Sequence, residues 1–182
     1  MKRLIPIVTL FFLSVVTAQN SKNIDFKKVT AIVDINPYNK EVKGTVEFTF
    51  DLKNQVKSIA VDAKPMNITN VFLNDKKIKF NVTDNQVIVN KNVKPKGQEQ
   101  KLTIAYNTKP KKAMYFVGWD NDGPNQIWTQ GQGKYTSNWL PSFDDMNEKT
   151  EFDLFIRFDS NYEVIANGKL IEKGTSVDGK TL

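Results

Sequence analysis

The chain has 182 residues, with 26 lysines and arginines against 20 aspartates and glutamates, a formal charge of +6, and neither histidine nor cysteine. Without histidine it lacks the commonest metal ligand and the usual general base at neutral pH; without cysteine it has no thiolate chemistry, thiolate metal site or disulfide. The cationic excess is scattered through strand flanks and turns rather than gathered into a stripe with exposed aromatics, which argues against nucleic acid as a partner.

Residues 1–18 read as a secretory signal peptide. Lys2 and Arg3 open it, residues 4–16 form a nearly unbroken apolar run, and Val16-Thr17-Ala18 puts a small residue at the expected cleavage position. The run is short for a bilayer span and polar residues follow at once, so no integral membrane segment is expected after cleavage. An uncleaved anchor is the alternative. Residues 19–182 then form one exported domain without disulfides, held by its core alone, as suits a bacterial periplasmic or extracellular protein.

From there the pattern is strands and turns. Val29, Ala31, Val33 and Ile35 alternate with polar neighbours, and over 42–50 Val42, Gly44, Val46, Phe48 and Phe50 share one face against Lys43, Thr45, Glu47 and Thr49. A period of two over nine residues is a half-buried strand. The polar residues 36–41 between them make an antiparallel hairpin connection. Further strands are expected around Ile59 and Val61, over 71–73, over 78–80 after a turn at 74–77, over 87–89, and around Leu102, Ile104 and Tyr106. Short, evenly spaced apolar patches without a helical stripe predict an all-β, antiparallel sandwich or open sheet.

Composition changes at Ala113. Residues 113–143 hold Tyr115, Phe116, Trp119, Trp128, Tyr135, Trp139 and Phe143 among four glycines. Such a stretch is either a long connection whose aromatics plug one side of the sandwich or a surface built to meet something else. Asp120-Asn121-Asp122-Gly123 reads as a turn, lacking the later acidic ligands of a calcium loop. Asp144 and Asp145 are adjacent carboxylates with no histidine to complete a metal site. Alternation resumes at 151–158; Asn167-Gly168 is a hairpin signal between strands over 162–166 and 169–171. Residues 176–182 resemble a second hairpin cut off after its turn, so the domain is expected to be truncated at its C-terminal edge.

The order Ile127-Trp128-Thr129-Gln130-Gly131-Gln132-Gly133, Trp139-Leu140-Pro141-Ser142-Phe143-Asp144-Asp145, Lys149, Phe152-Asp153-Leu154 and Asn167-Gly168 resembles the N-terminal β domain of the M1-family (gluzincin) zinc aminopeptidases. Gly44-Thr45-Val46-Glu47-Phe48 is similar to that family's early strand. The resemblance covers residues 26–182 and implies a saddle-like antiparallel β domain packed against a separate catalytic domain. It also implies a loop entering the active-site cleft, where Gln132 binds the α-amino group of the peptide substrate. Gln130, Gly131 and Tyr135 are the other candidate substrate contacts, and Trp139, Pro141, Asp144, Lys149, Asn167 and Gly168 are structural. An amide oxygen accepts hydrogen bonds from an ammonium without adding a full charge. If the stretch is extended, Gln130 points the same way as Gln132. Tyr135 is equally a pocket wall or a core residue.

The family's His-Glu-x-x-His helix and its Gly-x-Met-Glu-Asn strand are missing from this chain. The resemblance therefore implies no catalytic residue and no metal here, with zinc in a catalytic domain that lies outside the sequence. The competing expectation is a free-standing exported β-sandwich module that binds a peptide, a carbohydrate or a protein partner. The aromatic stretch separates the two, since a cleft loop needs a neighbouring domain whereas an independent module buries its aromatics or uses them as a platform.

Overall fold

A computed structural model describes residues 23–121 and 123–182, so the signal peptide expected over 1–18 lies outside the described residues, as does Asp122. The described chain forms β1 (Ile24–Asn36), β2 (Glu41–Leu52), β3 (Val56–Asp62), β4 (Asn67–Leu73), β5 (Lys76–Lys77), β6 (Asn81–Val82), β7 (Gln86–Val93), β8 (Gln100–Thr108), β9 (Met114–Val117), β10 (Gln126–Thr129) and β11 (Glu151–Arg157), with one short 3-10 helix at Thr136–Asn138. It is an all-β, mostly antiparallel fold of open sheets. A six-stranded sheet has the order β11-β1-β2-β8-β4-β5, a three-stranded sheet β3-β7-β6, and a hairpin β10-β9. Among the described residues no helix is long and apolar enough to cross a membrane.

The alternation of β1 and β2 fixes the inner face. Val33 pairs with Gly44, Ala31 with Val46 and Val29 with Phe48, in an antiparallel register that shifts only between Phe26 and Lys28. Val46, Phe48 and Phe50 are fully buried, and they join Leu102 and Ile104 of β8 with Ile59, Val61, Val87 and Val89 of the smaller sheet in one core. Each such side chain contributes about 1.5–3 kcal/mol on burial. Phe143, from the far end of the aromatic stretch, docks into the same core with its ring 4.3 Å from that of Phe26 and 5.3 Å from that of Phe48.

Two expectations, over 78–80 and around Gly168, are corrected, and one strand runs parallel in a mostly antiparallel fold. The strand expected over 78–80 is absent, because the turn before it is tighter than read: Asn74 and Asp75 both take positive φ, and Lys76–Lys77 already pairs back on Phe72 and Leu73. Such a two-residue turn matches strand twist and closes the hairpin early. β11 runs parallel to β1, with Val29 opposite Phe152 and Val33 opposite Ile156; the long crossover from β10 brings the chain in from the same end. Finally, Gly168 bends at φ +102°, yet 162–166 and 169–171 form no strands. Ile165, Leu170 and Ile171 are exposed, leaving those limbs no sheet to cover. Paired backbone bonds join Gly174 and Leu182, and Ser176 N–H donates to the Lys180 carbonyl.

Gly44 has a packing reason. Tyr106, opposite it on β8, lays its ring across the glycine, so an added Cβ would sit 2.8 Å from Tyr106 Cε1 and 2.9 Å from the Ile32 carbonyl oxygen. The backbone oxygen cannot yield as a flexible side chain would. Gly44→Ala is expected to lower stability by about 1–3 kcal/mol through overpacking, read as a lower denaturant midpoint at unchanged slope.

Candidate functional site

The aromatic stretch begins with the β9–β10 hairpin, whose two faces differ. Met114, Phe116 and Ile127 pack inward on the core. On the outer face Trp128 stands opposite Tyr115, and their rings stack at 4.3 Å with planes 25° apart. Both remain partly exposed, as does Val117. Trp119 instead turns back to the body: its indole N–H donates to the Gln126 carbonyl, and its ring meets Tyr38, Phe158 and Tyr162. Asn121 closes its own turn by accepting from Gly123 N–H at 2.9 Å.

After Thr129 one more rung is made, from Gln130 N–H to the Ala113 carbonyl at 2.8 Å. Extended backbone then ends. Residues 132–135 form a turn, closed by Tyr135 N–H bonding the Gly131 carbonyl at 3.1 Å. The alternation that would put Gln130 and Gln132 on one side therefore stops between them. Both glycines have folding reasons: a Cβ on Gly131 would meet Thr136 Oγ1, and Gly133 sits at φ +80° followed by Lys134 at φ +70°. Gln130 and Gln132 are exposed. Among the described residues neither side-chain amide makes a hydrogen bond, so both are available to a ligand.

Tyr135 lies 44% exposed, which removes it from the core. The ammonium groups of Lys64 and Lys112 stand 5.9 and 5.8 Å from its ring. Such contacts favour the cation by about 0.5–1 kcal/mol at exposed sites.

Beneath the turn lies a polar hub. Asp62, at the end of β3, is nearly buried; it accepts from Gln86 Nε2 at 2.9 Å and from Asp144 N–H at 2.8 Å, while its backbone pairs with Ser142. Asp144 in turn accepts from the Ser137 hydroxyl at 2.9 Å and pairs with Lys64 at 2.7 Å. Trp139, Leu140 and Pro141 are buried alongside. Asp145 organises only a local turn, accepting from the N–H and side-chain amide of Asn147. Lys149 is exposed and makes no ion pair among the described residues. Asn167 and Gly168 lie on the exposed bend, away from this hub. Asp62, Lys64 and Ser137 carry no motif, and no local pattern in the sequence marks them.

Glu148 follows the box. Burial raises its carboxyl above the ordinary range, a hydrogen bond from the Phe26 backbone N–H works in the opposite sense, and the Asp25 and Asp145 charges add to the rise. Among the described residues no group of three or more Asp, Glu, His or Cys side chains could hold a metal ion. A surface groove of about 350 Å³ has none of the turn residues in its lining; Ile32, Asp34, Lys43, Thr45, Asn107 and Arg157 line it on the other face of the six-stranded sheet.

The sequence profile of the peptidase M1 N-terminal domain matches residues 21–182. No curated protein sequence matches the chain. Among solved structures, an M1 zinc metallopeptidase from Deinococcus radiodurans superposes with a TM-score of 0.73 at 15% identity, over 88% of this chain and 38% of that one. Native yeast LTA4 hydrolase gives 0.72 at 17% identity, over 89% of this chain and 27% of that one. At such identities the likeness is one of fold, and the chain spans well under half the length of these proteins.

Two outcomes follow from the hub and its neighbour. Asp62→Ala leaves Gln86 and the Asp144 N–H without their buried acceptor, and denaturant titration should record a loss of about 2–4 kcal/mol. Because the folded state raises the Glu148 pKa, its protonated form favours folding; that contribution is complete below the ordinary carboxylate range and disappears as pH rises through the raised value. Glu148→Gln should therefore be more stable than the parent at neutral pH, and their melting temperatures should converge on acidification below that range.

Proposed function

Since the chain belongs to the peptidase M1 N-terminal domain family, we propose that it is the substrate-contacting domain of an exported bacterial zinc aminopeptidase whose catalytic half lies outside these 182 residues. Gln132 binds the α-amino group of the peptide, with Gln130, Gly131 and Tyr135 beside it. The observation that carries this reading is the exposed pair of unbonded amides on a turn whose backbone is pinned at 130, 131 and 134. A loop already ordered loses little freedom when a ligand arrives, and an amide oxygen is a suitable acceptor for an ammonium.

Among the described residues no group of three or more Asp, Glu, His or Cys side chains could hold a metal ion; in this reading the metal and the activation of water belong to the other domain. Supporting that arrangement, Tyr115, Val117 and Trp128 are exposed apolar side chains on the hairpin that leads into the turn, as expected of a surface that meets further protein. A free-standing module could use the same stack as its ligand platform. Ile165, Leu170 and Ile171, exposed on another segment, favour a chain that packs against more polypeptide. The signal-peptide reading of residues 1–18 supports export to the periplasm or the medium.

In the polypeptide that includes the catalytic domain, Gln132→Ala should lower kcat/KM on peptides with a free amino end by about 10–100-fold, the loss of one hydrogen bond to a charged group. Zinc content should not change. Unaltered kinetics on those peptides would remove Gln132 from the site.

A further inference from the structure

We propose that Lys64 is the positioning residue of the Gln132 turn, a single ammonium that ties the turn's backbone to the Asp144 carboxylate and so sets where the two amides stand. Its functional consequence rests on the reading of Gln130 and Gln132 above; the clamp itself concerns this chain alone.

Lys64 leaves the end of β3 with its own backbone held, since its N–H donates to the Ser137 carbonyl at 2.8 Å and the preceding Ala63 N–H to Asn85 at 2.7 Å. Its side chain then crosses to the turn. Nζ donates to the Lys134 carbonyl at 2.6 Å and lies 2.7 Å from Asp144 Oδ2. An ammonium has three donors on a compact charge, and two are used by groups 70 and 80 positions further along the chain.

The turn needs such a tie. Gly131, Gln132, Gly133, Lys134 and Tyr135 are all exposed, so packing does not hold them. Lys134 occupies a left-handed conformation, at φ +70°, which costs a residue with a Cβ about 1–2 kcal/mol. Inside the turn there is one backbone bond, from Tyr135 to Gly131. Asn138 also bonds the turn, its side-chain amide donating to the Tyr135 carbonyl at 2.8 Å from the 3-10 helix that follows. Lys64 comes from the rigid sandwich. Asp144 is equally fixed, its N–H on Asp62 and its carboxylate on Ser137. Between the Gln130 rung on one side and Asn138 on the other, Lys64 thereby refers the middle of the turn to the core.

Amide hydrogen exchange on the 182-residue chain tests this without any catalysis. In Lys64→Met, the Tyr135 amide, bonded to the Gly131 carbonyl, should exchange about tenfold faster while the amides of β2 and β8 do not change. Lys64→Arg, which can reach both acceptors, should restore protection. Should Lys64→Met fail to fold, Asp144→Asn removes the charge at the other end of the clamp with the same shape and should accelerate the same amide. Unchanged exchange at Tyr135 overturns the clamp. In the catalytically complete polypeptide, Lys64→Met should raise KM for peptides with a free amino end about tenfold and leave kcat within about twofold. A normal KM in Lys64→Met beside a weakened Gln132→Ala overturns the positioning role. Faster exchange with normal kinetics in both variants keeps the clamp and discards the amine-binding reading.

Discussion

Asp62 is a carboxylate set into the edge of the core, and the polar hub beneath the 132–135 turn is built on it. Removing a carboxylate from water is costly unless its oxygens are bonded. Here one oxygen meets Gln86 of the smaller sheet and the other the N–H of Asp144. Asp144, once fixed, orders Ser137 and Lys64, and Lys64 orders the turn. Each step satisfies a polar group that its neighbour would otherwise leave stranded. A turn without a core of its own thus inherits the rigidity of the sandwich.

The legible parts of the fold were those encoded locally. Val42, Val46, Phe48 and Phe50 alternate with polar residues, and the chain places each of them in the core. What escaped was encoded at a distance or by a missing neighbour. The parallel sense of β11 follows from the path of the crossover rather than from its own residues, which alternate as an antiparallel strand would. Asn167-Gly168 has turn chemistry, but turn chemistry makes a hairpin only where the limbs find something to cover. The Asp62–Asp144 bond joins positions 82 residues apart, and a buried polar pair has no period to betray it.

The rings of the aromatic stretch divide between the core and the surface. Phe143, Trp139 and Phe116 face inward, Trp119 seals a corner with Phe158 and Tyr162, and Tyr115 and Trp128 stack outward. Composition could not separate these roles because the same rings serve each. Two-residue alternation in a four-residue hairpin does separate them, once the hairpin itself is known.

The parallel pairing of β1 with β11 has a bearing on when the fold can close. β1 and β2 are neighbours in sequence and can zip as soon as both exist. Asp34 meets Arg157 across a sequence separation of 123, and parallel partners so distant carry a high entropic barrier to closure. Until residues 151–157 arrive, one side of β1 is a bare ribbon edge with unpaired amides, the kind of template on which another chain can add. Synthesis of this domain therefore passes through a long interval in which β1 lies open to wrong partners, and the strand that protects it is the last of the described strands to be made.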